Sequence, residues 1–157
     1  MQNQTIEPFK VIGLKIRTTN ENGQSTKDIG DLWTKFLSEN IVDKIPNKID
    51  HSILSIYTNY QGDYTQPYDT ILGYKVSSLD EIPEDMIGQN FAGGDYIKFV
   101  SKGSLNEGIV YQTWDKIWKS DLNRSYTVDF EVYGKKAQNP ENAEVEIFVA
   151  IKSTVDE

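Results

Sequence analysis

Apolar positions along this chain follow two periods, and the order in which they alternate already suggests a plan. Residues 9–19 (FKVIGLKIRTT) alternate loosely and are rich in β-formers. That predicts a strand, with Gly13 as a bulge or a close backbone approach. The polar run Asn20–Lys27 contains Gly23 and reads as a loop. Ile29, Leu32, Trp33, Phe36 and Leu37 then fall at helical spacing. Ser25 or Thr26 would cap that helix, and Asp28 and Asp31 suit its first turn. Two further strands are predicted over 52–60 (SILSIYTNY) and 68–77 (YDTILGYKVS). The carboxylates Asp80, Glu81, Glu84 and Asp85 surround Pro83 without the spacing of a calcium loop, and read as a solvated connector. The order then recurs: a strand over 94–103, a helix over 107–119 carrying Val110, Trp114, Ile117 and Trp118, and strands over 126–135 and 144–152.

The pattern is therefore βαββ twice. It predicts an α+β fold built from a duplicated unit with pseudo-twofold symmetry. Two helices cover a mainly antiparallel, curved sheet, and a ligand cleft lies between the halves. One domain, 1–157, is expected, with internal halves at about 6–80 and 90–152. Composition narrows what such a fold does. The 157 residues carry a formal charge of −8, which disfavours direct nucleic-acid binding and an anionic membrane surface. Without cysteine there is no disulfide, thiolate metal site or cysteine nucleophile, and a single histidine, His51, leaves no multi-histidine site. No cofactor and no metal are expected. No apolar run has the length of a membrane span, and Met1–Lys10 is too polar for a signal-peptide core, so the expected location is cytoplasmic.

Several stretches together resemble the GyrI-like family, the effector-binding domain of AraC-type and MerR-type multidrug regulators. They are FKVIGLKIRTT at 9–19, the tyrosine-rich YTNYQGDYTQPYDTILGYKV at 57–76, AGGDYIKFVSKG at 92–103, TWDKIW at 113–118, Phe130-Glu131-x-Tyr133, and EIFVAI at 146–151. Each motif is weak alone; their order and spacing carry the resemblance over about residues 6–152. Two departures stand out. Ala150 occupies a position where the family usually has proline, which touches strand geometry and not the pocket. The stretch Lys119–Asn123 lacks the usual proline, so the loop at the pocket mouth differs. The resemblance implies a stand-alone binding domain for small effectors.

Glu131 is the first candidate for chemistry. Alternation in YTVDFEVYG puts Asp129, Glu131 and Tyr133 on one face and Phe130 and Val132 on the other. From the residues alone, Glu131 is either an ordinary exposed glutamate or a carboxylate lining a cleft. The resemblance favours the second, because the matching glutamate is the family's pocket carboxylate for cationic drugs. Lys15, Arg17 and Lys35 are cations that would close it if they paired with it. Five tyrosines cluster between Tyr57 and Tyr74, and several around one carboxylate would make a cation-binding box. Tyr57 and Tyr133 lie on equivalent strands; Tyr68 and Tyr64 flank a turn at the expected mouth. Trp33, Trp114 and Trp118 read first as helix core, with Trp114 or Trp118 as a cleft wall. Tyr96 and Phe99 point to opposite faces, so at most one meets the cleft; Tyr96 is the one expected there. The expected ligand set is Glu131, Tyr57, Tyr133, Trp114, Tyr68 and Tyr96.

Three functions compete on this sequence. The first is recognition of a small organic cation, linked to transcriptional regulation or drug response. No helix-turn-helix is read in the chain, so that role would need a separate DNA-binding protein as partner. The second is a small hydrolase with Glu131 as general base on water. The third is a gyrase-inhibitor-like interaction protein whose acidic surface meets a basic partner.

Overall fold

The computed structural model describes residues 2–152. Eight strands form one sheet: β1 (Gln2–Ile6), β2 (Phe9–Thr18), β3 (Ile53–Thr58), β4 (Tyr68–Val76), β5 (Ile87–Phe91), β6 (Gly94–Gly103), β7 (Arg124–Tyr133) and β8 (Ala143–Ile151). Their order is β1-β6-β8-β7-β3-β4-β2-β5, with every neighbouring pair antiparallel. The triplets β6-β8-β7 and β2-β4-β3 mirror each other across the central β7–β3 pair, which is the expected duplication. Three helices accompany them: α1 (Gln24–Ser38), the four-residue α2 (Ile41–Lys44), and α3 (Ile109–Trp118).

Two elements correct the sequence expectation. The sequence predicts no strand in the polar start, Gln2–Ile6, or after the acidic connector, Ile87–Phe91, yet each forms an edge strand. Each also sits on the opposite half: β1 pairs with β6, and β5 with β2. Edge strands need less apolar surface, since one flank faces solvent. The caps expected for α1 also differ. The helix begins after Gly23 in the left-handed conformation (φ 71°), with no side-chain cap. Ser25 and Thr26 lie inside its first turn, and Asp28 instead accepts hydrogen bonds from Thr18 (2.9 Å) and Gln24 (3.1 Å).

The sheet is strongly curved, and ring contacts measure it. β2 and β7 are three strand steps apart, about 14 Å in a flat sheet, yet the rings of Phe9 and Phe130 sit 5.4 Å apart. This face therefore closes on itself around Phe9, Val11, Ile56, Phe130 and Phe148 without any helix. Paired glycines allow the coiling. Gly13 lies opposite Gly73 in unbroken register, and a Cβ on Gly13 would stand 2.0 Å from the Leu72 carbonyl oxygen. Gly13 thus marks a close approach, not a bulge. On the other face, α1 covers β2 and β4 through Leu32 and Phe36 against Ile12 and Leu72. α3 covers β8 through Trp114 and Ile117 against Val145 and Ile147. The central strands β3 and β7 lie between these two covered zones.

Candidate functional site

A cleft of about 450 Å³ opens over β3 and β7, between α1 and α3. This is within the range of ordinary small-molecule sites. Strand alternation builds its floor. Tyr57 on β3 and Glu131 and Tyr133 on β7 turn toward the helices, while their neighbours Ile56 and Phe130 enter the opposite core. Helical spacing builds the walls: Ile29 and Trp33 from α1, Trp114 and Trp118 from α3. All three tryptophans of the chain line this cleft.

Glu131 lies at the bottom, 2% exposed. Its Oε2 accepts from the Tyr57 hydroxyl (2.8 Å) and the Trp114 indole N–H (2.6 Å), and its Oε1 from the Tyr133 hydroxyl (2.6 Å). Among the described residues no lysine, arginine or histidine forms an ion pair with it. Lys15 and Arg17, expected as competitors, instead reach Asp69 at 3.8 and 3.1 Å. Burial pushes the Glu131 carboxyl above the usual glutamate value, while the hydrogen bonds from Tyr133, Trp114 and Tyr57 pull it back part of the way. Burial first, and then the Glu131 charge, hold the Tyr57 and Tyr133 hydroxyls well above the ordinary tyrosine value. Both remain donors at neutral pH. The result is an organised buried anion with no countercharge of its own.

Rings stand edge-on around this carboxylate. Tyr57 meets Trp114 at 5.7 Å and 89°, and Tyr133 meets Trp33 at 4.9 Å and 77°. Tyr68 packs against Tyr57 at 5.9 Å and anchors its hydroxyl on Asn20 (2.6 Å). At the mouth, Tyr64 stacks on Trp118 (5.4 Å, 7°), and the exposed Tyr111 leans on the same indole.

Five of the six expected residues therefore meet: Glu131, Tyr57, Tyr133, Trp114 and Tyr68. Tyr96 does not. It pairs with Ala150 and packs on Phe130 (5.5 Å) in the opposite core, whereas Phe99, three residues on, joins the helix-covered face. Sequence reasoning gave Trp33 to the core, because an apolar helix stripe looks the same over a core and over a cleft. Tyr60 belongs to the expected tyrosine cluster but not to the expected ligand set, and Arg124 is in neither; for Arg124 the cause is backbone geometry. Arg124 pairs with Ile151 and Asp129 with Val149, so five steps of β7 run against two of β8. Tyr126, at φ 55°, carries the excursion. A regular strand would place residues 124 and 129 on opposite faces, about 17 Å apart. The excursion brings them together, with Arg124 Nη2 2.7 Å from Asp129 Oδ2, both groups buried.

Asp129 is also fully used. Its Oδ2 accepts from the Tyr60 hydroxyl (2.5 Å), and its Oδ1 from the Ala150 backbone N–H (2.8 Å). The family's usual proline at Ala150 could not supply that N–H. The departure was expected to leave the pocket alone; in fact it reaches the cleft through Asp129, which holds Tyr60 and Arg124. Ala150→Pro should keep the fold but cost about 1–3 kcal/mol, the usual penalty for a buried acceptor left short of a donor. Urea unfolding measures it, and an unchanged midpoint would mean that this bond carries no stability.

The comparisons agree with this architecture. Residues 4–151 match the Cass2 family, described as integron-associated effector binding protein, and the chain belongs to that family. An integron cassette protein from the mobile metagenome of Vibrio cholerae is 32% identical, with a TM-score of 0.76 over 96% of this chain and 95% of that one. YobU of Bacillus subtilis (strain 168), named as a candidate transcriptional regulator, is 31% identical over 144 residues, 89% of this chain and 90% of its own. SAV2435, solved with tetraphenylphosphonium bound, shares the fold at 16% identity, with a TM-score of 0.78 over 97% of this chain and 93% of that one. Among the described residues, no helix is long and apolar enough to cross a membrane, and no group of three or more His, Cys, Asp or Glu is placed to hold a metal.

Proposed function

We propose that this chain binds small organic cations in the cleft and acts by recognition. One observation carries the reading: Glu131 is a buried carboxylate with three neutral donors, no cationic partner among the described residues, and aromatic rings on every side. An anion in such a place is costly unless a charge completes it. An aromatic or alkyl ammonium or phosphonium ion supplies that charge and packs on the ring faces. A relative of this fold bound to tetraphenylphosphonium supports the same ligand class. The geometry also supports binding over general-base hydrolysis, because three protein donors already occupy most of the carboxylate's acceptor positions and leave little place for a substrate water. The likeness to a named candidate regulator supports a role in transcriptional response, exerted through a separate DNA-binding partner.

The test uses tryptophan fluorescence, since all three indoles line the cleft. The probes are 4-benzyl-N,N,N-trimethylanilinium and its neutral tert-butyl isostere. The cation should quench and the isostere should not. Affinity should fall as the pH drops through the Glu131 titration, which lies above the ordinary glutamate value. Protonation there removes the ligand's countercharge. Equal binding of both probes, or a pH-independent affinity, would reject the charge argument.

A further inference from the structure

The cleft has a second polar end, at Arg124. The side chain lines the cleft, and the residue is 6% exposed. Only Nη2 is engaged, on Asp129; Nε and Nη1 are buried with no hydrogen-bond partner among the described residues. Two rings flank it, with the centroids of Tyr126 and Trp114 4.3 and 5.7 Å from the guanidinium carbon. Buried donors without acceptors are rare, because each forfeits its hydration for nothing. Tyr126, on the excursion that brings Arg124 here, holds a left-handed backbone conformation that tyrosine rarely adopts. Arg124 borders the cleft, so a molecule seated there is the source from which the missing acceptor would come.

Charge decides what kind of acceptor fits. Asp129 already neutralises Arg124, and the pair is buried on both sides. Glu131 alone is left uncompensated, so a single positive charge balances the site. A ligand that also carried a carboxylate would leave one buried negative charge over. We propose that the cleft selects a monocation that also carries a neutral hydrogen-bond acceptor, a carbonyl or ether oxygen, with the cation at Glu131 and the oxygen at Arg124. The two ends lie close together, since the Trp114 indole donates to Glu131 and stands against Arg124. This inference rests on the cation reading above and adds a requirement to it.

The experiment compares trimethylanilinium ions bearing a benzoyl or a benzyl group, each as the meta and para isomers. A benzyl compound with a distal carboxylate is the third arm. Each ketone differs from its partner only by C=O in place of CH2. In the native protein at least one ketone isomer should bind roughly tenfold tighter than its benzyl partner, the usual gain from a hydrogen bond to a charged group. Arg124→Lys keeps the ion pair with Asp129 but removes the spare guanidinium donors, and should erase that advantage. The double variant Arg124→Met/Asp129→Asn, which leaves no charge unpaired, should do the same. Near-ultraviolet circular dichroism reports whether each variant is folded, and the native comparison decides even if neither is. Equal affinity of ketones and benzyl compounds would overturn the acceptor site while leaving the cation reading intact. So would a ketone advantage that survives in a folded variant, or tightest binding by the carboxylate arm. If no cation binds the native protein, both readings fall together.

Discussion

Glu131→Gln should weaken cation binding by roughly 30-fold to several thousandfold, and the ligand-free protein should lose no stability. The first effect follows from the partnership at the bottom of the cleft. Removing one member of a desolvated charge pair costs on the order of 2–5 kcal/mol, which spans roughly 30-fold to several thousandfold in affinity. The second follows from linkage. Burial holds the Glu131 carboxyl above its ordinary value in the folded state, so folding favours the protonated form. Its contribution to stability is complete below the ordinary glutamate pKa and is lost as the pH rises through the folded value. Above the folded value the ionised group is therefore a burden on the free protein, and glutamine removes it. The amide still offers its oxygen to Trp114 and Tyr57 and can donate to the Tyr133 hydroxyl, so the three partners keep their bonds. Calorimetric titration with 4-benzyl-N,N,N-trimethylanilinium and denaturant unfolding at pH 7 test the two halves. A Glu131→Gln protein that bound as tightly as the native chain would remove Glu131 from recognition. One that unfolded much more readily would make Glu131 a structural residue.

The separation of affinity from stability explains why the site's centre was legible in the sequence and its edge was not. Tyr57, Glu131 and Tyr133 lie on regular stretches of β3 and β7, where a period of two fixes the face. Counting residues was enough to group them, and the family resemblance then decided between a cleft and open solvent. The tryptophans lie on regular helices, and counting placed them on the right face too. It could not tell Trp33 over a cleft from Leu32 and Phe36 over a core, because all three belong to one apolar stripe. Tyr96 failed for a simpler reason: two aromatics three apart on β6 cannot share a face, and the sequence held no signal for which of them faced the helices. β1 and β5 escaped detection because an edge strand of largely polar residues, such as Gln2–Ile6, alternates in nothing that burial can select. Arg124 was hidden most deeply. Its face depends on three extra residues in β7 opposite β8, and on a tyrosine in a conformation that tyrosine does not favour.

Asp129→Ala should be the most damaging single change outside the apolar core, costing about 3–5 kcal/mol, although Asp129 is not exposed to the cleft at all. Two carboxylates two residues apart on one strand are treated in opposite ways. Glu131 is left without a countercharge and is open to a ligand. Asp129, 0% exposed, is satisfied by Arg124, by the Tyr60 hydroxyl and by the Ala150 N–H. Removing it strands a guanidinium in a buried place between the Tyr126 and Trp114 rings, and also frees the Tyr60 hydroxyl, which burial and Asp129 together hold well above its ordinary pKa. Replacing both members, as Arg124→Met with Asp129→Ala, should recover much of the loss, because the pair's main cost arises when one charge outlives the other. Urea unfolding of the two single variants and the double variant closes the cycle. A double variant whose loss equals the sum of the single losses would show that Arg124 and Asp129 are not coupled. A strongly coupled pair means that the excursion in β7 and the ion pair stand or fall together, and with them the wall that faces Glu131.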